Sequence, residues 1–526
     1  MACPRSLRYQ PELKTAGGKP PFPTSILLRD ELDLESAGAR SIRAIGFNST
    51  FENPFLAAYY RYFVKRFLVT VCFIAFTAAA FLPVTIAQTI NIPFSQFSLD
   101  NGLRVVLSED HSAPVVAVAV YYDVGSRNEV KGRTGFAHLF EHMMFQGSEN
   151  IRKAAHFKFV ESNGGVLNAA THSDFTNYYQ LLPSNQLELA LWLESDRMRS
   201  LKITAVNLKN QKEAVKEEKR LNYDNQAYWP ALSKMDEMVF RNWANAHSTI
   251  GSMRDLDAAT TADVIRFFAT YYAPNNAVLV IAGDIDSREA EALVRKYFGT
   301  IPRHRPPPAI DVSEPFEVAS RASAISDRHA QMPALSMAWK IPARPSPDFY
   351  AIALLKSILC DGQSGRLYQK LVKERAVSLD VEGTLEARRG PGQVSVFTIH
   401  KPELKAESVR AIIETEIERI KTEGVTDDEL TKVKNQHRLD RFLSGSEGDD
   451  SSLQTALGRA LALGEFALFD RDPSLINSEL DRYLAVTTDQ VRNAARRYFV
   501  PANTAVLNIR AGNGPAPPVA PRAKVR

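Results

Sequence analysis

Two stretches, TTADVIRFFATYYAPNNAVLVI at 260–281 and TTDQVRNAARRYFVPANTAVLNI at 487–509, decide the fold because they share one pattern. Each opens on a Thr that can cap a helix, keeps an apolar helical period up to a Pro, and ends in an apolar strand. Four residues recur at one offset (491 − 264 = 227): Val264, Tyr271, Pro274 and Asn276 return as Val491, Tyr498, Pro501 and Asn503. This repeat predicts two homologous domains.

The remaining apolar runs predict the fold class. Strands are predicted at AVAVYYDVG (117–125), TNYYQLL (176–182), AVLVIAGD (277–284) and ALSMAWKIP (334–342). Helical segments such as SPDFYAIALLKSILC (346–360) lie between them, without the strict alternation of a parallel doubly wound sheet. We therefore expect an α+β chain in which each domain is a largely antiparallel sheet covered by helices.

A proline-rich segment divides the chain into two halves. The run TIPRHRPPPAIDVSEP at 300–315 has no apolar period and is typical of a linker. It separates an N-terminal domain predicted at 88–299 from a C-terminal domain predicted at 316–511. The composition of 512–526 predicts a disordered tail.

The composition excludes several classes of protein. Of 526 residues, 45% are hydrophobic and 24% charged, which is typical of globular proteins and not of disordered, collagen-like or multi-spanning membrane chains. The first 87 residues hold 10 of the 64 basic and 6 of the 60 acidic residues, so the remainder holds 54 of each. A formally neutral body has no field that attracts nucleic acid, and we expect no nucleic-acid partner.

The first 87 residues predict export. The uncharged run FLVTVCFIAFTAAAFLPVTIA at 67–87 follows three basic residues and ends in small ones, which is typical of a secretory signal peptide cut after Ala87. An uncleaved anchor is the alternative, because a run of this length could span a bilayer. We expect a protein of the bacterial periplasm, or one anchored in the inner membrane and facing the periplasm. Residues 1–66 are interpreted as a non-native or disordered leader, with the true start near Val64.

Cleavage of that signal would leave Cys360 as the single cysteine of the mature chain. No intrachain disulfide could then form, so an exported protein of this size would depend on large hydrophobic cores.

The segment TGFAHLFEHMMFQGS at 134–148 carries the chemistry, because it contains H-x-x-E-H at His138, Glu141 and His142. We predict a helix capped by Thr134. Positions i, i+3 and i+4 share a helix face, so two imidazoles could hold one ion with a carboxylate beside them. This is the inverted zincin motif, although two histidines on a helix can also be ordinary surface or core residues.

A third metal ligand is predicted on a second helix. A catalytic zinc usually takes three protein ligands and keeps a fourth position open. The run ITAVNLKNQKEAVKEEKRL offers two adjacent acids, Glu217 and Glu218. On a helical period Glu218 shares the inward stripe of Leu208 and Val215, whereas Glu217 lies on a polar stripe. We predict that Glu218 is the ligand and that Glu217 is an exposed charge.

With these residues the chain resembles the pitrilysin/insulinase family of zinc metallopeptidases, nearest its bacterial, mitochondrial-processing-peptidase-like branch. The resemblance covers nearly all of 92–511 and includes a Glu 76 residues after the second His (218 − 142 = 76). It also includes GGVLNAATHSDFTNYY (164–179), the YYAPNNAVLVIAGD strand and SGRLYQKLV (364–372).

The resemblance implies roles for four residues by position. His138, His142 and Glu218 would bind one Zn²⁺ per chain, and Glu141 would be the general base for peptide-bond hydrolysis. The family fold implies that the two domains form one half of a clamshell that encloses peptides or unfolded segments. A zinc-dependent endopeptidase is therefore the expected function.

The resemblance also implies a substrate strand. Asn168 and Ala169 fall where the family binds the backbone of a peptide along an edge strand, although a turn residue is the alternative role for Asn168. Gln211 stands where the family often has a further Glu. Lys373 and Leu379 stand where members that act alone carry an Arg and a Tyr. We therefore expect a related partner subunit without the zinc motif in a heterodimer, or a homodimer.

Two other functions remain open at this point. The chain could be a non-catalytic scaffold subunit of a larger complex, or it could hold a structural zinc. The remaining histidines have no ligand spacing and are interpreted as structural: His111, His156, His172, His247, His304, His329, His400 and His437.

Overall fold

The computed structural model describes residues 91–443 and 452–512 of the chain. The predicted leader at 1–66, the signal segment at 67–87 and the tail beyond residue 512 lie outside the described residues. Within those two ranges, no helix is both long and apolar enough to cross a bilayer.

The first sheet has six strands: β1 Ser95–Ser98, β2 Arg104–Glu109, β3 Val115–Tyr122, β4 Val166–Thr171, β5 Thr176–Pro183 and β6 Ala277–Gly283. They lie in the order β1-β2-β6-β3-β5-β4, with β2 and β6 parallel and the other pairs antiparallel. β3 and β6 are apolar throughout because both faces of the sheet are covered at its centre. β4 forms one edge of the sheet.

The helices of the N-terminal half are α1 Phe136–Met143, α2 Ala155–Ser162, α3 Leu187–Ser200, α4 Ala205–Lys219, α5 Trp229–Leu232, α6 Met235–Val239, α7 Trp243–Ala246, α8 Met253–Ala258, α9 Thr261–Tyr271 and α10 Ser287–Phe298. The apolar stripes of α1, α3, α9 and α10 share one core with the inner face of the sheet, through side chains such as Phe140, Leu191, Phe267 and Val294. This packing fixes α1 against the sheet.

The second sheet has five strands: β7 Ala322–Asp327, β8 Ala334–Ile341, β9 Ser378–Glu386, β10 Gly392–His400 and β11 Thr504–Ala511. Their order is β7-β11-β8-β10-β9, with β7 and β11 parallel and the other pairs antiparallel. The accompanying helices are α11 Pro347–Cys360, α12 Ala406–Glu423, α13 Asp427–Leu443, α14 Ala456–Glu465, α15 Leu475–Leu484 and α16 Thr488–Tyr498. This is the order of the first sheet without β1, so the predicted pair of homologous α+β domains is confirmed.

The repeated Pro-x-Asn turn has the same structural role in both halves. Asn276 Nδ2 donates to the carbonyl oxygen of Tyr271, 2.9 Å away at the end of α9. Asn503 Nδ2 donates to the carbonyl oxygen of Tyr498, 2.7 Å away at the end of α16. Each amide also donates to a second carbonyl on or just beyond the neighbouring strand, β3 or β8. The Asn thus links the helix end to the sheet, which explains its recurrence.

Each half contributes helices that cover the outer face of the other half's sheet, an arrangement called the reciprocal cover below. The first inserted segment (residues 229–246) brings buried side chains of α5 and α6 against β8 and β11 of the second sheet. The second inserted segment (residues 453–476) brings those of α14 against β2, β3 and β6 of the first sheet. The first residues of α5 and α14 are 227 positions apart (456 − 229 = 227), which is the offset of the repeat. Each sheet therefore has two covered faces only when both halves are present.

The predicted linker contains no helix or strand between residues 302 and 315. The side chain of its Glu314 is fully buried and forms an ion pair with Lys340, 3.1 Å away on β8. The end of the segment is therefore fixed against the second sheet.

Candidate metal centre

Helix α1 begins at Phe136 because Gly135, with φ 79°, is its N-cap. A Cβ at Gly135 would lie 2.6 Å from the carbonyl oxygen of Ile250, so only glycine fits there. The predicted cap by Thr134 is wrong. Its hydroxyl instead donates to Asp255 Oδ2, 2.7 Å away on α8.

The structure brings the three predicted ligands together. His138 and His142 lie on one face of α1, with ring centroids 4.8 Å apart, and Glu218 approaches from the end of α4. Glu218 Oε2 is 3.6 Å from His138 Nε2 and 3.3 Å from His142 Nε2. Within the described ranges this is the only group of three or more possible ligands whose atoms all lie within 4.8 Å of one another.

The donor set and its spacing fit a zinc ion. Bonds of about 2.0–2.2 Å in a tetrahedral site place neighbouring ligand atoms about 3.4 Å apart. The two measured separations from Glu218 fall on either side of that value. Two imidazoles and one carboxylate also leave the fourth position open, as in catalytic rather than structural sites.

The electrostatics of the site favour a neutral imidazole at His138 and a charged carboxylate at Glu218. Burial, together with the neighbouring His142, lowers the pKa of His138 to about 4. Although burial opposes it, the hydrogen bond with Glu218 raises the pKa of His142. Burial also opposes the shift of Glu218, whose pKa is lowered by the hydrogen bond to His142 and the charge of His138. His138 is therefore ready to bind a cation without losing a proton first.

Gln211 precedes Glu218 by seven residues on the same face of α4 (218 − 211 = 7) and contacts the site. Its side chain is hydrogen-bonded to His142. An amide therefore occupies the place where the family often has a further Glu, and it can fix the orientation of the His142 ring without adding charge.

Glu141 lies beside the ligands but is not one of the group of three. Its Oε2 accepts a 2.6 Å hydrogen bond from Thr171 Oγ1, at the end of β4, and burial raises its pKa. Sequence reasoning missed Thr171, although it stands three residues after Asn168 in the motif GGVLNAATHSDF.

Asn168 and Ala169 lie in the middle of edge strand β4, so the turn alternative for Asn168 is wrong. β4 pairs with β5 on one side only, in a register that places Asn168 opposite Tyr179. Asn168 is exposed and its Oδ1 accepts from the amide of Ala169 at 2.9 Å. The other edge of β4 has no neighbouring strand among the described residues, and the strand ends at Thr171, which bonds to Glu141 of α1.

Comparisons with known proteins agree with this geometry. The family model described as Insulinase (Peptidase family M16) matches residues 104–249, and the one described as Peptidase M16 inactive domain matches residues 258–437. The chain belongs to the pitrilysin/insulinase family. The resemblance seen in the sequence is thereby confirmed, and the H-x-x-E-H helix lies within the first match.

Similar M16 proteins are named proteases. The zinc protease PqqE of Helicobacter pylori is 29% identical over 364 residues, which cover 66% of this chain and 79% of PqqE. A solved protease from Helicobacter pylori is 25% identical with a TM-score of 0.75, covering 80% of this chain and all of that one. The periplasmic protease PqqL of Escherichia coli, at 18% identity, shares the fold with a TM-score of 0.66 over 80% of this chain and 48% of PqqL.

The C-terminal half of this M16 chain lacks the Arg and the Tyr that the resemblance implies at residues 373 and 379 for members that act alone. Leu379, at the start of edge strand β9, is 54% exposed, and Lys373 is also exposed. Arg375, which sequence reasoning passed over, is exposed four residues before Leu379, and within the described part of the chain its guanidinium has no hydrogen bond or ion pair. A bidentate donor is therefore present near this edge, while a hydroxyl at 379 is missing.

Proposed function

We propose that this chain is a zinc-dependent endopeptidase that hydrolyses peptides or unfolded segments. In this proposal His138, His142 and Glu218 bind one Zn²⁺, and Glu141 is the general base. The convergence of the three ligand atoms within 4.8 Å, with Glu141 beside them, carries the proposal. The name of the relative PqqE, a zinc protease, supports it.

The chain's own residues would divide the chemistry between them. When bound, zinc lowers the pKa of a water molecule and polarises the scissile carbonyl. Thr171 holds Oε2 of Glu141, which leaves Oε1 to accept the proton of the attacking water. Glu141 then donates that proton to the leaving amine. Gln211 keeps the His142 ring in place throughout.

The substrate would bind as an added strand on β4. The outer edge of β4 pairs with no strand among the described residues, so an extended peptide can add there when the side chain of Asn168 releases the amide of Ala169. Thr171 ends the same strand at Glu141. This arrangement would bring a backbone carbonyl of the peptide to the metal centre. It selects extended chains, so folded proteins would not be substrates.

Removal and return of metal test this proposal. The purified mature chain is expected to contain about one zinc per chain and to lose cleavage of a quenched peptide when treated with a strong chelator. Zinc should restore the activity. Metal analysis with a fluorescence assay makes both measurements, and cleavage that survives complete loss of metal would refute the proposal.

We also propose that the site is completed by a second chain, either a related subunit without the zinc motif or another copy. Leu379 cannot donate a hydrogen bond to a substrate carbonyl. The fold of PqqL supports pairing, because this chain covers only 48% of it.

We further propose that the mature protein is exported and that its domains span 88–299 and 316–511, with the linker at 300–315.

Replacing Leu379 with Tyr tests the missing donor. At equal zinc content, Leu379→Tyr is expected to raise peptide cleavage by the isolated chain about 3–10-fold, the value of one hydrogen bond. Leu379→Phe is the matched control, since it adds the ring without the hydroxyl. Equal rates for the unmodified chain and both variants would show that the isolated chain needs no donor there.

A further inference from the structure

His247 is surrounded by hydrogen-bond acceptors. Its Nδ1 is 2.7 Å from the carbonyl oxygen of Trp243. Its Nε2 is 2.8 Å from the carbonyl oxygen of Ser126 and 3.1 Å from Glu129 Oε2. Because the two carbonyl oxygens can only accept, both ring nitrogens must carry hydrogen, and His247 is an imidazolium paired with the Glu129 carboxylate.

The pair is buried, and its charge state is consistent with that geometry. The side chains of His247 and Glu129 are 8% and 0% exposed. Although burial opposes it, the hydrogen bond that His247 donates to Glu129 raises the pKa of His247. Burial raises the pKa of Glu129, so this carboxylate needs a cation beside it to stay charged.

Glu129 uses both oxygens to hold the amino end of α1. Oε2 accepts from the amide of Gly135 at 2.9 Å and Oε1 accepts from the amide of Ala137 at 2.8 Å. Gly135 has no side chain with which to cap the helix, so Glu129 takes that place. Ala137 directly precedes His138, and its position sets that of the first imidazole.

The C-terminal half holds His247 from the other side. The ring of His247 stacks on Trp243 of α7, with centroids 4.0 Å apart. In the same helix Asn245 receives a 2.6 Å hydrogen bond from Arg388 Nη1 at its carbonyl and donates from Nδ2 to Glu314 at 3.0 Å. α7 is therefore fixed by residues of the linker and the second sheet.

We propose that Glu129 and His247 are positioning residues for α1, the metal helix that carries His138 and His142. We propose further that the C-terminal half acts on the catalytic centre through them. This inference rests on the proposed zinc peptidase function. It assigns the half without metal ligands a role in the chemistry. Arg388 and Glu314 hold α7, which carries the ring that His247 stacks on. His247 in turn holds Glu129, and Glu129 fixes the position of α1.

The test uses the full mature chain with His247→Ala and the isosteric Glu129→Gln. His437→Ala is the matched control, because His437 is also a partly buried histidine stacked on an aromatic ring, that of Tyr483, but it lies in α13. Three quantities are measured: hydrogen exchange at the amides of Gly135 and Ala137, zinc affinity by chelator competition, and the visible absorption of the cobalt-substituted chain.

Both variants are expected to exchange the two amides at least tenfold faster, to bind zinc about 10–100-fold more weakly and to shift the cobalt spectrum, while His437→Ala leaves all three unchanged. Should His247→Ala fail to fold, Glu129→Gln alone decides. Unchanged amide exchange and zinc affinity in Glu129→Gln would overturn the inference. An unmodified chain that binds no zinc would instead refute the proposed function, and the amide exchange would still test the pair.

Discussion

Replacing Glu141 with Gln is expected to lower kcat/KM for a peptide substrate by about 10²–10⁴-fold while zinc remains bound. Gln has the same shape and can still accept the hydrogen bond from Thr171, but it cannot take a proton from water. Because Glu141 is not among the three converging ligands, metal content should not change. Peptide kinetics and metal analysis on the same preparation measure both effects.

Glu217→Gln provides the control for the loss of one negative charge near the centre. Glu217 is adjacent to Glu218, but its side chain is 57% exposed and pairs with Arg220 at 2.9 Å, as predicted for a plain surface charge. This variant should keep nearly full activity. Near-normal turnover by Glu141→Gln, or an equal loss in both variants, would contradict the assigned base.

Replacing Leu463 with Asp is expected to destabilise the N-terminal sheet, although residue 463 belongs to the C-terminal half. Leu463 of α14 is fully buried in the core that α14 shares with β3 and β6. The variant loses the burial of a Leu and places a carboxylate in an apolar setting, at a cost of about 4 kcal/mol or more. That is a large part of a typical domain stability of about 5–15 kcal/mol.

Thermal unfolding and hydrogen exchange of the β3 and β6 amides measure this effect. Gln454→Asp, at an exposed position just before the same helix, introduces the same charge and should leave both measurements unchanged. If Leu463→Asp destabilised only the second sheet, the packing of α14 would contribute nothing to the stability of the first sheet.

The repeated unit and the metal helix were predictable because local patterns determine them. The Thr cap, the helical period and the Pro-x-Asn turn all act within about twenty residues, and the structure shows the same bonds at Asn276 and Asn503. H-x-x-E-H needs only helical spacing to align His138 and His142. Glu218 could be chosen over Glu217 because its helix has an inward stripe.

The contacts that the sequence did not predict come from outside the helix that they hold. Glu129 caps α1 in place of Thr134 from six residues before Gly135, and Thr171 reaches Glu141 from strand β4, 30 residues further along the chain. The exchange of inserted segments joins residues more than ninety positions apart (334 − 239 = 95 between α6 and β8), for which a single sequence gives no periodic signal. Local pattern therefore predicted the elements and the candidate ligands but not the contacts that hold them.

The reciprocal cover bears on how such a chain can change over generations. In the second half α11, which follows β8 as α1 follows β3, contains neither His nor Glu, so this copy has no metal helix of its own. The fold needs no metal ligands in this copy, whereas deleting the copy would strip α14 from the first sheet and expose its apolar face to water. A duplicated gene of this kind can lose chemistry in one copy but cannot discard that copy.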